Sequence, residues 1–312
     1  MTGAVPGELL SSLLERCDFP PTGEEVTLAV SGGPDSLALL VLASAAGLRI
    51  TAIHVDHGLR CGSDREAETV ARAAARYGAA FEARTVQVEP GGDLEARARS
   101  ARYSVLPIDV MTGHTMDDQA ETVLLNLVRG AGLDGLSGIR RISDAGVGFR
   151  RPLLRVRRAE TEALCEVEGL EPVRDPSNDD PDFRRNRIRL EVIPLLSEVA
   201  GRDVVPVLAR QADLIGDEAD LLDELSADLD PTDARSLRAA PLPLARRALR
   251  RWLRAPDQGG DPEAHPPSAA EVARVMSVAQ GLATACELAG GRRVSRRAGR
   301  LAVQSSAPAE DR

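Results

Sequence analysis

Apolar positions through the first two thirds of the chain switch between two periods. Short runs with strand character, Val26–Val30, Ile50–Val55, Phe81–Val88 and Ile108–Thr112, are each followed by a turn and a helically spaced segment. After the second run, Ser63 and Asp64 are placed to cap a helix whose buried side carries Ala67, Val70, Ala71 and Ala74. Glu89-Pro90-Gly91-Gly92 breaks the third run, Asp93 caps the next helix, and Pro107 ends it. Another helix starts at Thr115 and stops at Gly130. Strands alternating with helices in this way predict an α/β fold, a doubly wound parallel sheet, with ligands beyond the carboxyl ends of its strands.

The flanks are helical. Leu9, Leu10, Leu13 and Leu14 mark a short amphipathic helix ahead of the sheet, closed by Phe19-Pro20-Pro21. Behind the sheet, helices are predicted near Arg158–Glu168 and from Asn186, the latter carrying Ile188, Val192, Leu195 and Leu196. From about residue 202 the pattern stays helical, with a Pro/Gly-rich loop at Ala255–Pro267 and a hairpin turn at Gly290-Gly291. The expected division is a catalytic domain over 1–200, a smaller, mainly helical domain over 201–304, and a disordered tail over 305–312.

The sharpest chemical signal follows the first strand. Ser31-Gly32-Gly33-Pro34-Asp35-Ser36 lets the backbone turn tightly and opens an apolar helix. Unpaired N–H groups and the positive end of the helix dipole make such a turn an anion site. Ser31 and Ser36 can donate to phosphate oxygens, whereas Asp35 would repel them and is suited to a Mg²⁺ that phosphates share. A Walker-type loop is excluded, because the 39 basic residues are all arginine and that motif needs a lysine.

Composition narrows the class. With 43% hydrophobic and 28% charged residues the 312-residue chain is globular. No apolar run approaches the ~18–20 residues of a membrane span, and the N-terminus lacks a basic signal-peptide start. Cys17, Cys61, Cys165 and Cys286 are scattered without a CxxC, which predicts reduced thiols and a cytoplasmic protein. Aromatics make up only 2%, too few for base-stacking platforms.

The net charge of −9 changes meaning once mapped, because the nine acids between Asp213 and Asp233 account for all of it. Arginines cluster elsewhere, with seven over Arg140–Arg158, four over Arg184–Arg189, five over Arg246–Arg254 and five over Arg292–Arg300. Guanidinium forks suit phosphate, so nucleic acid is a reasonable partner, with the acidic segment facing away from it. In Gly113-His114-Thr115-Met116-Asp117-Asp118, followed by Glu121, three acids share one side of a helix start. Thr115 with Asp118 resembles a capping box, yet three acids cannot all cap. A cationic ligand or metal would relieve their repulsion.

SGGPDS (31–36) resembles the pyrophosphate loop of the N-type ATP pyrophosphatases. Taken in order with HVDHGLR (54–60), ARSARY (98–103), GHTMDDQAET (113–122), RGAGLDGLSGI (129–139), RPLL (151–154) and DPSNDDPDFRRNRIR (175–189), the chain resembles the bacterial tRNA(Ile)-lysidine synthetases. The resemblance implies a fold of PP-loop ATPase type. It also implies adenylation of the 2-carbonyl oxygen of the wobble cytidine in a CAU-anticodon tRNA(Ile). Free L-lysine then displaces AMP through its ε-amine, and codon reading changes from AUG to AUA.

By position, the resemblance places ATP on Ser31, Gly32, Gly33, Pro34, Asp35, Ser36 and His54, with Asp35 on Mg²⁺. It places Asp118 and Glu121, with Asp117, on the lysine ammonium or a second metal, and Arg102 and His114 near the activated base. Asn186 and Arg189 become anchors for the RNA side of the cleft, and a homodimer is a possible assembly. Two departures stand out. Residues between Tyr103 and Gly113 are fewer than the family usually has, and longer relatives carry an additional C-terminal domain on the acceptor stem. Acceptor-end recognition is then expected to fall to the helical domain or to be weaker. Base thiolation, an amidotransferase-type synthetase and a non-catalytic nucleotide sensor are the rival readings of the same loop. Scattered cysteines, no cysteine after Met1, and the acidic helix with its arginines argue against them in turn.

Overall fold

The computed structural model describes residues 6–56, 63–87, 97, 101–142, 148–173, 180–255 and 267–305. Four strands, β1 (Glu25–Ala29), β2 (Arg49–Asp56), β3 (Ala80–Thr85) and β4 (Met111–Thr112), form a sheet in the order β3-β2-β1-β4. Every pairing is parallel, with Leu28 opposite both Ala52 and Met111. Period-two alternation sorts the side chains. Leu28, Val30, Ile50 and Ala52 join one apolar cluster with Leu37–Ala43 of the Pro34–Ala45 helix and with Val70, Ala73 and Ala74. Ile53 packs on the opposite face with Leu106, Val110 and Phe149, and Tyr103 stacks tilted on Phe149 at 4.3 Å. Burial on both faces explains why these strands read as near-continuous apolar runs.

Several elements depart from the periodic reading. β4 covers two residues rather than five, because Ile108 is exposed and Asp109 adopts a positive φ of 64°. Arg150 supplies the missing pairing there, its N–H donating to Val110 O and its carbonyl accepting from Thr112 N. β3 ends at Thr85 rather than Val88, and on the helix before it, Ser63–Arg76, Ala73 is buried where Ala71 is only half-buried. The calls on Glu89–Asp93, on residues 57–60, 174–179 and 256–266, and on the tail from 306 lie outside the described residues. Ser305, expected in the tail, closes the last strand.

The segment expected to be helical from Asn186 begins earlier, at Arg184, and contains a π turn over Ile188–Val192 before continuing as Ile193–Ala200. Pro194 is the physical reason. It has no N–H for the carbonyl one α-turn back, and Ile193 N instead donates to Ile188 O in the wider turn.

The chain divides into compact units Met1–Gly216 and Asp217–Arg312, the division falling within the long helix Val205–Ser226. In the second unit, helices Ala234–Ala239, Leu242–Arg254 and Ala269–Gln280 pack Leu237, Leu249, Trp252, Val275 and Val278 against Val294 and Leu301. Those last two sit on a three-stranded antiparallel sheet, β5 (Ala285–Glu287), β6 (Arg292–Arg297) and β7 (Arg300–Ser305). Gly290 and Gly291, both at positive φ, make the expected turn between β5 and β6. The second turn, Ala298-Gly299, carries no such glycine pair and went unread in the sequence, yet both residues have positive φ.

Candidate active site

The glycine turn after β1 organises the carboxyl edge of the sheet. Gly32 has φ 88°, and an added Cβ would lie 3.2 Å from Val173 Cγ2, so the position is closed to other residues. Ser36 holds the turn from inside. Its hydroxyl accepts from Gly32 N at 3.1 Å and from Ser31 Oγ at 3.2 Å, and donates to Gly33 O at 2.9 Å. Gly33 caps the Pro34–Ala45 helix and Pro34 takes its first turn, where a missing N–H costs nothing. Ser31 to Ser36 thus form one preorganised loop at a helix N-terminus.

Gly113 presses against that loop. A Cβ on it would lie 2.8 Å from Asp35 O and 2.9 Å from Asp35 C, both backbone atoms. This close approach brings the start of the Met116–Val128 helix beside Asp35. There the capping reading is realised, and protein arginines stand where a cationic ligand or metal was expected. Asp118 does cap, accepting from Thr115 N at 2.8 Å and from Thr115 Oγ1 at 3.0 Å. It also faces Arg158 and Arg185.

Two arginines supply the cations that the acidic cluster demands. Arg158 donates to Asp35 (3.4 Å), Asp118 (3.0 Å) and Glu121 (2.8 Å). Arg185 donates to Asp118 (2.8 Å) and Glu121 (2.6 Å). Glu121 is only 1% exposed, so its charge depends on those guanidinium groups. Three carboxylates against two guanidiniums leave one negative charge at the centre. Burial pushes Asp35 up to about 6, with Asp118 adding to the rise while Thr161 and Arg158 oppose it. Burial also pushes Asp118 upward, but Arg158, Arg185 and His114 outweigh it and hold that carboxyl well below the ordinary range.

Arg158, Arg185 and Thr161, whose hydroxyl donates to Asp35, were not picked out as site residues from the sequence. Arg158 and Arg185 were visible only as members of arginine clusters, and Arg185 was expected to reach phosphate. Its bonds to Glu121 and Asp118 correct that expectation, since burial beside two carboxylates favours the ion pair. Asp117, expected beside Asp118 and Glu121, turns instead to Arg157, with Oδ2 3.0 Å from Nε and Oδ1 3.0 Å from Nη2.

The other expected site residues are dispersed. His114 lies beside Asp118, its Nδ1 2.7 Å from Thr112 Oγ1. His54 is buried under the loop, with Nδ1 3.0 Å from Val30 O. Asn186 is buried within its helix rather than capping it, and donates to Asp180 O at 2.9 Å. Arg102 is exposed on the helical turn 101–104. Arg189 lines a cavity of about 390 Å³ with Asp117, Glu121 and Arg157. The glycine loop Gly132–Gly138 is pinned by Gln119, which accepts from Ile139 N at 2.6 Å, and by Asn126, which donates to Gly135 O at 2.7 Å.

Among the described residues no cluster of three or more His, Cys, Asp or Glu side chains is arranged to hold a metal by itself. One carboxylate beside a phosphate loop nevertheless fits Mg²⁺, which is commonly held by one or two carboxylates together with substrate phosphates. Asp35 meets that description. No described helix is long and apolar enough to cross a membrane.

Comparison with known proteins identifies the family. A model of the PP-loop domain family matches residues 9–196. The tRNA(Ile)-lysidine synthase of Nocardia farcinica is 44% identical over 249 residues, 75% of this chain and 77% of that protein. Its counterpart in Streptomyces coelicolor is 43% identical over 258 residues, 76% of this chain and 73% of that one. Among solved structures, the U34-tRNA thiolase NcsA from Methanococcus maripaludis superposes with a TM-score of 0.53 at 16% identity, over 67% of this chain and 79% of its own. At that identity the likeness speaks to fold alone.

Proposed function

This chain belongs to the PP-loop family of tRNA(Ile)-lysidine synthases, and on that premise we propose that it ligates free L-lysine to tRNA(Ile) with ATP. ATP is split to AMP and pyrophosphate as the 2-carbonyl oxygen of the wobble cytidine is adenylated. The ε-amine of lysine then attacks C2, and AMP leaves with the oxygen. The CAU anticodon so modified reads AUA in place of AUG. Work on tRNA puts the enzyme in the cytoplasm.

The observation that carries the reading is the meeting of the phosphate loop with an acidic cluster that two arginines neutralise only in part. Ser31–Ser36 cradle the ATP phosphates through the helix N-terminus, and Asp35 holds Mg²⁺, which neutralises phosphate charge when bound. Arg158 and Arg185 hold Asp118 and Glu121 fixed in direction. The one uncompensated negative charge favours a cation beside the phosphates, and the lysine ammonium suits it. His114, within electrostatic reach of Asp118, would suit a role beside the activated base.

The described cysteines speak against a sulfur-carrying role. Burial pushes the Cys17 and Cys165 thiols up to about 12, which holds both in the unreactive protonated form. Incubation with total tRNA, Mg-ATP and radiolabelled lysine tests the function directly. Label in RNA with release of AMP is expected. RNA that stays unlabelled while ATP is consumed overturns the proposal.

A further inference from the structure

We propose that Asp117 and Arg157 form a positioning clamp that aims the first turn of the Arg158–Val167 helix at the phosphate loop. On this inference Asp117 serves the reaction through that turn and does not itself touch substrate or metal. The inference rests on the reading of the chain as an enzyme that adenylates tRNA, and it gives two residues a role in that step.

One face of the Arg158–Val167 helix runs along the loop. Arg158, Thr161 and Cys165, spaced i, i+3 and i+7, share that face. Arg158 and Thr161 donate to Asp35, and Cys165 Sγ donates to Pro34 O at 3.4 Å. Leu164 and Cys165 are buried in the apolar cluster that also holds Leu37–Ala43, so packing fixes the body of the helix. The first turn depends instead on polar contacts, because Arg158 must meet Asp35, Asp118 and Glu121 at once. Its 3.4 Å contact with Asp35 is the longest of the three, so a small tilt is felt there first.

Asp117 holds that turn from the acidic helix. Its Oδ2 accepts from Arg158 N at 2.8 Å, taking one of the N–H groups that a helix start leaves unpaired. The same carboxylate accepts from Arg157 Nε and Nη2, each at 3.0 Å, and Met116 N donates to Val156 O at 2.9 Å alongside. Arg157 is held in turn by Asp203, whose other oxygen accepts from Val205 N at 2.9 Å where the long helix starts. Three bonds thus occupy the Asp117 carboxylate, out of about four acceptor sites that such a group has. Neighbouring helical positions do not face one another. Asp117 therefore turns to the clamp, while Asp118 and Glu121, three apart, turn to Arg158 and Arg185. The resemblance alone set Asp117 beside them on lysine or metal; its bonds set it on Arg157 and on the turn that carries Arg158.

The test is single-turnover adenylation of tRNA(Ile) by the full chain with Mg-ATP and no lysine, read as the rate constant and the amplitude of adenylated tRNA. Because a misplacement of about 1 Å can cost about a hundredfold, Asp117→Asn and Arg157→Met should each lower the rate constant by about tenfold or more. The double variant should be no slower than the worse single one, since both act through one contact. Arg157→Lys, which keeps the charge and loses the fork, should fall between Arg157→Met and the wild type. A merely structural role would lower the amplitude, which counts competent sites, and leave the rate constant alone; that outcome overturns the proposal. Additive losses overturn it too. So does an unmoved rate constant with a raised lysine KM, which returns Asp117 to the amino acid. Should Asp117→Asn fail to fold, Arg157→Met and Asp203→Asn carry the test, with a smaller slowing expected from Asp203→Asn and an unmoved rate constant in both overturning the clamp. A wild type that forms no adenylated tRNA overturns the ligase reading itself and the clamp with it.

Discussion

Asp35 holds its carboxylate where burial disfavours the charge that the proposed Mg²⁺ would require. Its folded value of about 6 lies above the ordinary 3.8. Between those values the folded chain keeps a proton that the unfolded chain has lost, so stability falls as pH rises through the window. At neutral pH the ionised group costs on the order of 2–3 kcal/mol. Asp35→Asn should therefore raise the thermal midpoint of the metal- and nucleotide-free chain at neutral pH, lose that advantage below about pH 4, and abolish pyrophosphate release. A lower midpoint at neutral pH would show that the charge is not strained. Glu121 acts through its ion pairs. Its carboxylate holds two guanidiniums in place, and breaking such a buried arrangement typically costs roughly 3–5 kcal/mol. Glu121→Gln should lower the urea midpoint as well as raise the lysine requirement. An unmoved midpoint would mean that Asp118 alone keeps Arg158 and Arg185 in position.

Close crossings and tight turns decide how the elements meet. The Gly113 crossing joins the phosphate loop to the acidic helix, and its backbone neighbours cannot step aside as a side chain would. Gly113→Ala should cost about 1–3 kcal/mol, the range for overpacking, and weaken ATP binding, read by calorimetry with a non-hydrolysable analogue. Wild-type affinity in that variant would show that the two elements are free to separate. The β6–β7 hairpin offers the reverse case. Ala298 and Gly299 both have positive φ, the geometry of a type I′ turn, which asparagine-glycine fits better. Ala298→Asn should stabilise the chain by about 1 kcal/mol, and a loss of stability would rule out that turn type.

On the larger scale, several acids of the 213–233 segment pair with arginines among the described residues. The acidic segment was expected to stand away from RNA and the arginine clusters to be open to it. Instead Asp223 binds Arg247 at 2.6 Å, Asp230 binds Arg300, and Asp213 lies 3.6 Å from Arg141. Arg251 is taken up by Ser226 O at 2.8 Å. Low cost explains the difference, since a long acidic helix supplies counterions to neighbouring arginines. Exposed Arg246 and Arg254 become the better candidates for phosphate. Reversing both to Glu should flatten the salt dependence of tRNA binding by about 1.5 in log–log slope, two phosphates' worth, while Arg247→Glu should change it less. Equal slopes in the two variants would refute this division of roles.

The sheet, its parallel order and the phosphate loop were legible in the sequence, because period-two runs, glycine pairs and helix starts are local signals. Asp35, Asp118 and Glu121 were legible for the same reason, as polar residues placed where a helix begins. Their partners were not. Arg158 lies 37 residues beyond Glu121 and Arg185 lies 64 beyond it, and no spacing rule links an arginine in a cluster to a carboxylate on another element. The short β4, with Arg150 completing its pairing, follows from chain crossings that periodicity does not encode. Local backbone preference is written residue by residue, so the sequence by itself determined the elements and the loop. Which charges neutralise one another depends on which elements the packed sheet brings together, and that only the tertiary structure decided.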